Sequence, residues 1–286
     1  MITVVVAPPF ATVQDCGRTG YRDSGVPVSG IADRNSGVVL NSLLGNDPTA
    51  AMIEWAVAGG VLRFECNATV AIGGADAIGS VNGTLLRAWT AVDVSPGGEI
   101  RVERIVRGRF LLIAVRGGID VPMVLGSRST LLSAAMGGFN GRRLRDGDCL
   151  AIGQSPLGSV DRSTVLPHAL ERRGAIHVMR GPQAELFGDA AWATFLGAEF
   201  AVSRASDRTG YRLEGVTLKH HGLASLPSEP TCIGAIQVPD GGEPIVIMAD
   251  GPTVGGYPKM AVVRSADLSR FAQLVPGEKV RFVLDT

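Results

Sequence analysis

Three segments of this chain share one local design. Pro96-Gly97-Gly98-Glu99-Ile100-Arg101-Val102, Asp146-Gly147-Asp148-Cys149-Leu150-Ala151-Ile152 and Pro276-Gly277-Glu278-Lys279-Val280-Arg281-Phe282 each set a turn dipeptide and an acid ahead of an alternating apolar run. Glycine supplies the positive φ that a tight turn needs, and alternation at period two aims one face of the next segment at a core. Such a chain is built from short strands and tight turns, the pattern of barrels and sandwiches. Composition agrees: 38 glycines against nine Phe, three Tyr and three Trp leave Val, Ile, Leu and Ala to fill the interior.

Further strand-like segments, most of them bounded by Gly or Pro, are Ile2 to Ala7, Ala51 to Val57, Leu62 to Glu65, Thr69 to Ile72, Ile100 to Val106, Phe110 to Val115, Ile176 to Met179, Ile245 to Ala249 and Val280 to Leu284. Helices are few. Ala32 to Leu44 has Asp33 to cap its start and Gly45 to end it, Pro182 to Phe195 has Pro in its first turn, and Ala266 to Leu274 is a third, short candidate. The 286 residues suffice for two domains, expected at 1–165 and 166–286.

Charge excludes some classes of function. The 27 basic and 27 acidic residues cancel, and no long run of one sign appears, so neither a nucleic acid nor a membrane surface is an expected partner. No apolar stretch approaches the roughly 18 residues that span a bilayer, and the start, Met1 to Pro9, reads as a strand stopped by prolines rather than a signal peptide. A soluble cytoplasmic protein is expected, with Cys16, Cys66, Cys149 and Cys232 as incidental reduced thiols. His168, His177, His220 and His221 have no spacing that gathers a third ligand, so no metal is indicated.

An internal repeat stands out. Gly17 to Val26 and Asp207 to Val216 agree at seven of ten positions and share Arg-Thr-Gly-Tyr-Arg. Two equivalent loops in two similar barrels are the natural expectation. The glycines set the turns, and the paired arginines suit an anion or a backbone carbonyl better than a core.

Several standard signatures are absent. Gly74 to Ser80 imitates a phosphate loop but lacks its lysine and reads as a link from strand to turn. Neither a G-x-S-x-G elbow nor a Ser-Ser-Lys amidase signature is present. What remains is polar clusters locked into Gly/Pro-rich turns, among them Leu44 to Pro48, Gly117 to Pro122, Gly138 to Arg142, Gly181 to Gln183 and Ser225 to Pro230.

Five motifs carry a resemblance: QDxGRxGY at Gln14 to Tyr21, LGSRST at Leu125 to Thr130, SDRxGYRLEG at Ser206 to Gly215, GAIQVP at Gly234 to Pro239 and GGYPK at Gly255 to Lys259. In this order and spacing, from about Ala7 to Phe282, the chain resembles the biotin-dependent carboxyltransferase / allophanate hydrolase subunit 2 family. The family commonly shows an acid, about two residues and Thr-Thr-Gly-Gly-Tyr-Pro. Here Pro252 and Val254 interrupt that pattern, so no polar role carries over to them.

The resemblance implies a mainly β fold of two cyclophilin-like β-barrel subdomains with a few short helices. It implies partners too: an allophanate hydrolase subunit 1 (KipI-like) protein and, in the 5-oxoprolinase branch, a third, LamB/YcsF-type protein. Three functions follow from it. The first is a subunit of an ATP-dependent 5-oxoprolinase, with ATP as co-substrate of the complex. The second is a carboxyltransferase or allophanate hydrolase subunit 2 of a urea-degrading system. The third is a KipA-like regulator that sequesters its subunit-1 partner. No Met-Lys-Met biotinyl motif is present, so biotin would arrive on another protein.

The two enzymatic alternatives need a planar, poorly electrophilic amide, lactam or urea activated beside an anion, by preorganised cations and N–H donors. Arg18, Arg208, Arg212 and Lys259 are the candidate cations, and Asp15, Gln237 and Asp250 the candidates to orient the substrate. Gln14, Tyr21, Tyr211 and Tyr257 complete the expected binding set. A turn at Gly241-Gly242 is expected to bring the Gln237 and Asp250 segments to one rim, where Lys259 faces an anionic group and Gln237 holds an amide.

Overall fold

The computed structural model describes residues 1–163, 174–221 and 226–285. The expected domain boundary at 165/166, His168 and Ser225 lie outside them. Contact clustering gives two compact units, Met1–Thr19 with Ser29–Leu170, and Gly20–Val28 with Glu171–Thr286.

The strands of the first unit are β1 (Ile2–Val6), β2 (Phe10–Gln14), β3 (Met52–Ala56), β4 (Gly60–Phe64), β5 (Ala68–Val81), β6 (Thr84–Leu85), β7 (Ala91–Val94), β8 (Glu99–Val115), β9 (Ile119–Asp120) and β10 (Cys149–Ile152). They form one ten-stranded sheet ordered β2-β3-β8-β4-β1-β10-β9, with β5 paired to β8, β7 and β6. Strand β8 is its spine: residues 110–113 pair with β3, residues 99–102 with β4, and β5 runs along both stretches. The sequence suggests two strands here and a loop near Gly74. Instead Gly108 (φ 85°) and Gly74 (φ 81°) are absorbed inside continuous strands, where the register shifts near Asp76 mark bulges.

Helix α1 (Arg34–Leu43) starts where expected, with Asp33 accepting from the Ser36 amide at 3.1 Å. Its Leu40 and Leu43 pack with Met52, Trp89 and Leu112, while Ile53, Trp55, Leu111 and Ile113 enter the other core. Adjacent residues of β3 and β8 thus serve opposite faces, which is why Met52–Ala56 is buried throughout.

The second unit contains β11 (Ile176–Arg180), β12 (Phe200–Val202), β13 (Gly210–Glu214), β14 (Glu229–Pro230), β15 (Ala235–Gln237), β16 (Ile245–Ile247), β17 (Val254–Gly255), β18 (Lys259–Val263), β19 (Lys279–Val280) and β20 (Phe282–Leu284). Eight of them are ordered β19-β12-β13-β16-β15-β18-β11-β20. The terminal strands β19 and β20 are separated in the chain only by Arg281, so the sheet comes round on itself as a nearly closed barrel. Strands β14 and β17 form a separate two-stranded ribbon. Phe195 stacks on Phe282 with centroids 4.8 Å apart in the core.

Helix α2 (Asp189–Gly197) starts later than the sequence suggests. A short 3-10 turn at Ala184–Leu186 precedes it, and Gly188 in an extended conformation (ψ 169°) separates the two. Helix α3 (Ser265–Ala272) lies where expected. Among the described residues no helix is long and apolar enough to cross a membrane.

Candidate functional site

The repeat does not yield equivalent loops. In its second copy Gly210–Glu214 is strand β13, and Tyr211 is fully buried, its hydroxyl donating to the Ala272 carbonyl at 2.6 Å. In the first copy Tyr21 sits half-buried in an irregular turn, where its carbonyl accepts from the Ser24 and Val26 amides. The shared letters encode turn glycines and a gripping arginine, while flanking alternation makes only the second copy a strand.

The arginines do grip acceptors. Arg18, 1 % exposed, donates to the Ser129 carbonyl, and Arg22 to that of Thr231. Arg208 holds Asp250 through two bonds, Nε to Oδ2 at 2.8 Å and Nη2 to Oδ1 at 3.0 Å. Arg212 points its side chain outward from β13.

Asp15 and Gln14 lie in the first unit and serve its architecture. Asp15 Oδ1 accepts from the Gly17 amide (2.8 Å), Ser127 Oγ (2.6 Å) and Ser129 Oγ (2.5 Å), and Oδ2 from the Arg128 amide (2.6 Å). That carboxylate ties the LGSRST turn to the end of β2. Gln14, fully buried, donates from Nε2 to Thr12 Oγ1 and the Thr130 carbonyl, both at 3.1 Å.

The expected common rim for Gln237 and Asp250 does not form. Gln237 pairs with Ile245, so Asp250, beyond Ile247, lies past the opposite end of β16. An antiparallel hairpin sets the end of one strand beside the start of the next, and this separates the Arg208–Asp250 pair from Gln237.

Around Gln237 the structure assembles a different set. Lys259 is its ladder partner on β18 and is 3 % exposed. Its Nζ donates to Glu229 Oε1, so it does not present a free charge to an anion as expected. Gln183 locks the pair, donating from Nε2 to the same Glu229 oxygen at 2.6 Å and accepting the Lys259 amide on Oε1 at 3.1 Å. The hydrogen bond from Lys259 holds the Glu229 carboxyl below the usual carboxylate range; it outweighs desolvation, and the lysine charge and the Gln183 amide add to it.

Gln237 is 4 % exposed, and its Nε2 is buried without a hydrogen-bond partner among the described residues. Above it runs Gly255 of the ribbon, where an added Cβ would fall 2.5 Å from that nitrogen. Gly255 is paired in turn with Glu229. Tyr257, 42 % exposed, stands on the loop between β17 and β18.

Sequence reasoning missed Glu229 and Gln183. Glu229 is the one charged side chain between Leu226 and Thr231, flanked by serine and proline, and Gln183 follows Gly181-Pro182. A lone charge in such a turn was the available signal. Among the described residues no three His, Cys, Asp or Glu gather to hold a metal.

Comparison with known proteins places this geometry. A family model described as carboxyltransferase domain, subdomain A and B, matches residues 24–284. The chain is 35 % identical over 283 residues to the 5-oxoprolinase C subunit of Escherichia coli (strain K12), covering 99 % of this chain and 91 % of that one. It is 32 % identical to the Haemophilus influenzae protein of that name, covering 99 % and 90 %. Urea amidolyase of Saccharomyces cerevisiae is 31 % identical across 99 % of this chain, which spans only 16 % of that protein. The crystal structure of Kluyveromyces lactis urea carboxylase superposes with a TM-score of 0.92 at 32 % identity, over 100 % of this chain and 27 % of that one. This chain belongs to the carboxyltransferase subdomain A and B family.

Proposed function

We propose that this chain is the C subunit of an ATP-dependent 5-oxoprolinase, which opens the lactam of 5-oxoproline to glutamate with ATP as co-substrate of the assembly. Its partners in this reading are an allophanate hydrolase subunit 1 (KipI-like) protein and a LamB/YcsF-type protein, in the cytoplasm. One observation carries it: identity to two proteins named as the C subunit of 5-oxoprolinase runs nearly the full length of this chain and 91 % and 90 % of theirs. The site is compatible with the task. A lactam carbonyl is a poor electrophile, and a buried N–H donor with no acceptor among the described residues, beside a fixed ion pair, suits its oxygen. In this reading Gln237 and Lys259 lie near the substrate together with Glu229 and Gln183.

The experiment is reconstitution. The purified chain with 5-oxoproline and ATP should release no phosphate above background, and adding both partners should give ATP-dependent glutamate formation. Robust phosphate release by the chain alone, or no glutamate from the full assembly, overturns the reading.

A second reading, a carboxyltransferase component acting on urea, is favoured by the superposition on urea carboxylase. Urea-dependent turnover with a carboxylated biotin carrier, in place of 5-oxoproline turnover, would select it.

A further inference from the structure

The residues around Gln237 close a ring. Gln237 pairs across the sheet with Lys259, Lys259 donates to Glu229, Glu229 pairs across the ribbon with Gly255, and Gly255 lies against Gln237 Nε2. Two atoms of this ring lack protein partners among the described residues. One is Nε2 itself, a donor. The other is Glu229 Oε2, an acceptor, since Lys259 and Gln183 both use Oε1. A buried donor left unpaired is rare in a native protein and calls for a partner.

Charge narrows what that partner is. Lys259 and Glu229 cancel, so the ring carries no net charge to attract an anion. A carboxylate would set one of its two acceptors against the Glu229 oxygen, and an ammonium would set a donor against the Gln237 N–H. A group with one acceptor and one donor side by side fits both. An amide held cis inside a small ring presents its C=O and N–H along one edge, whereas an open-chain trans amide points them in opposite directions.

We propose that Gln237 Nε2 and Glu229 Oε2 form a donor–acceptor pair that reads the cis edge of an uncharged amide in the substrate, and that Lys259 and Gln183 act on that amide only by holding Glu229. This rests on the 5-oxoprolinase reading and deepens it. Recognition falls on the lactam edge, and the substrate carboxylate is bound by groups outside the ring. Lys259 and Gln183 are positioning residues. Gly255 packs against the donor without a side chain, since a Cβ there would fall 2.5 Å from Nε2.

The test uses two probes and one substrate. Binding of 2-pyrrolidinone and N-methyl-2-pyrrolidinone to the full chain is followed by ligand-observed NMR, and kcat and KM for 5-oxoproline are measured in the assembled complex. The wild-type chain should prefer 2-pyrrolidinone by at least about tenfold, because methylation removes the N–H that Glu229 accepts. Gln237→Leu should abolish that preference and lower kcat/KM by at least about tenfold, with a melting curve verifying the fold. Gly255→Ala, which crowds the donor from outside, should reproduce the loss. Gln183→Leu should raise KM with kcat nearly unchanged, the signature of a loosened Glu229. Equal binding of the two pyrrolidinones, or an unchanged kcat/KM in Gln237→Leu, overturns the proposal while leaving the 5-oxoprolinase reading intact. Gln237-dependent binding of 2-pyrrolidinone by a chain whose full assembly does not open 5-oxoproline overturns that reading and leaves the amide-edge site standing.

Discussion

Glu229 receives Lys259 Nζ and Gln183 Nε2 on one and the same oxygen. A lysine 3 % exposed is thereby neutralised by a side chain that is itself 38 % exposed. The carboxylate remains hydrated on one side and clamped on the other, which separates its two oxygens into a structural and an available one.

Removing Lys259 should therefore act through Glu229. Lys259→Met keeps most of the apolar stem and loses the charge, leaving Glu229 held by Gln183 alone. We expect kcat/KM of the assembled enzyme to fall at least about tenfold, roughly 1.4 kcal/mol of transition-state stabilisation. Glu229→Gln should cost a comparable amount, and the double substitution should cost less than the two single effects combined, because they break one pair. Steady-state kinetics on all three variants checks this, and fully additive losses would show that the two residues act independently.

Asp15 offers a contrast. Its two oxygens take four donors, from Gly17, Ser127, Arg128 and Ser129, and it is 6 % exposed. Asp15→Ala strands those donors, and about 3 kcal/mol or more of stability should be lost. Urea denaturation measures it. A variant as stable as wild type but without turnover would instead make Asp15 a substrate-facing group.

Tyr211 should matter to folding and not to chemistry. Its hydroxyl satisfies the carbonyl of Ala272, the last residue of α3, where no intrahelical donor exists. Tyr211→Phe should cost about 1–2 kcal/mol and leave KM for 5-oxoproline unchanged. Thermal melting and kinetics on one preparation decide it.

Acid sensitivity has a defined source in the first unit. Asp148 accepts two 2.7 Å bonds from Arg142 and the Arg145 amide, also at 2.7 Å. The Arg142 hydrogen bonds, with the Arg145 amide and the charges of both arginines, hold its carboxyl below the ordinary value against the opposing effect of burial. The folded-state pKa is the lower one, so the stabilisation is fully present above the unfolded-state value, about 3.9, and is lost as pH falls through the folded one. Melting temperature should drop on acidification in that window, and Asp148→Asn should flatten the drop. An equally steep acid limb in the variant would assign the effect to other carboxylates.

The strands were legible because their signals are local. Gly97, Gly147 and Gly277 all take positive φ, and strands β8, β10 and β19 start within two residues of them. Gly74 and Gly108 misled for the same reason: a glycine spells turn and bulge alike, and only the partner strand decides. Gln237 and Lys259 were recognisable as polar residues in turn-rich motifs, and β15 and β18 bring them together. Glu229 was not, because its role depends on a two-residue ribbon that pairs it with Gly255, 26 positions away in the sequence. Asp250 was misplaced by a reading that found the hairpin but not its register; one ladder, Gln237 opposite Ile245, sends it to the far end.

The assignment of Gly20–Val28 to the second unit has a consequence for the order of events during synthesis. About 140 residues separate Val28 from Glu171, where that unit resumes. At ~5–20 residues per second the ribosome needs roughly 7–30 s to traverse them. Through most of that interval the nine-residue segment has left the exit tunnel with its own unit still untranslated, and Arg22 has no Thr231 carbonyl to hold. Completion of the second unit therefore waits until the residues from Glu171 onward are made, and a gene begun at those later residues would encode it without a piece that is made first.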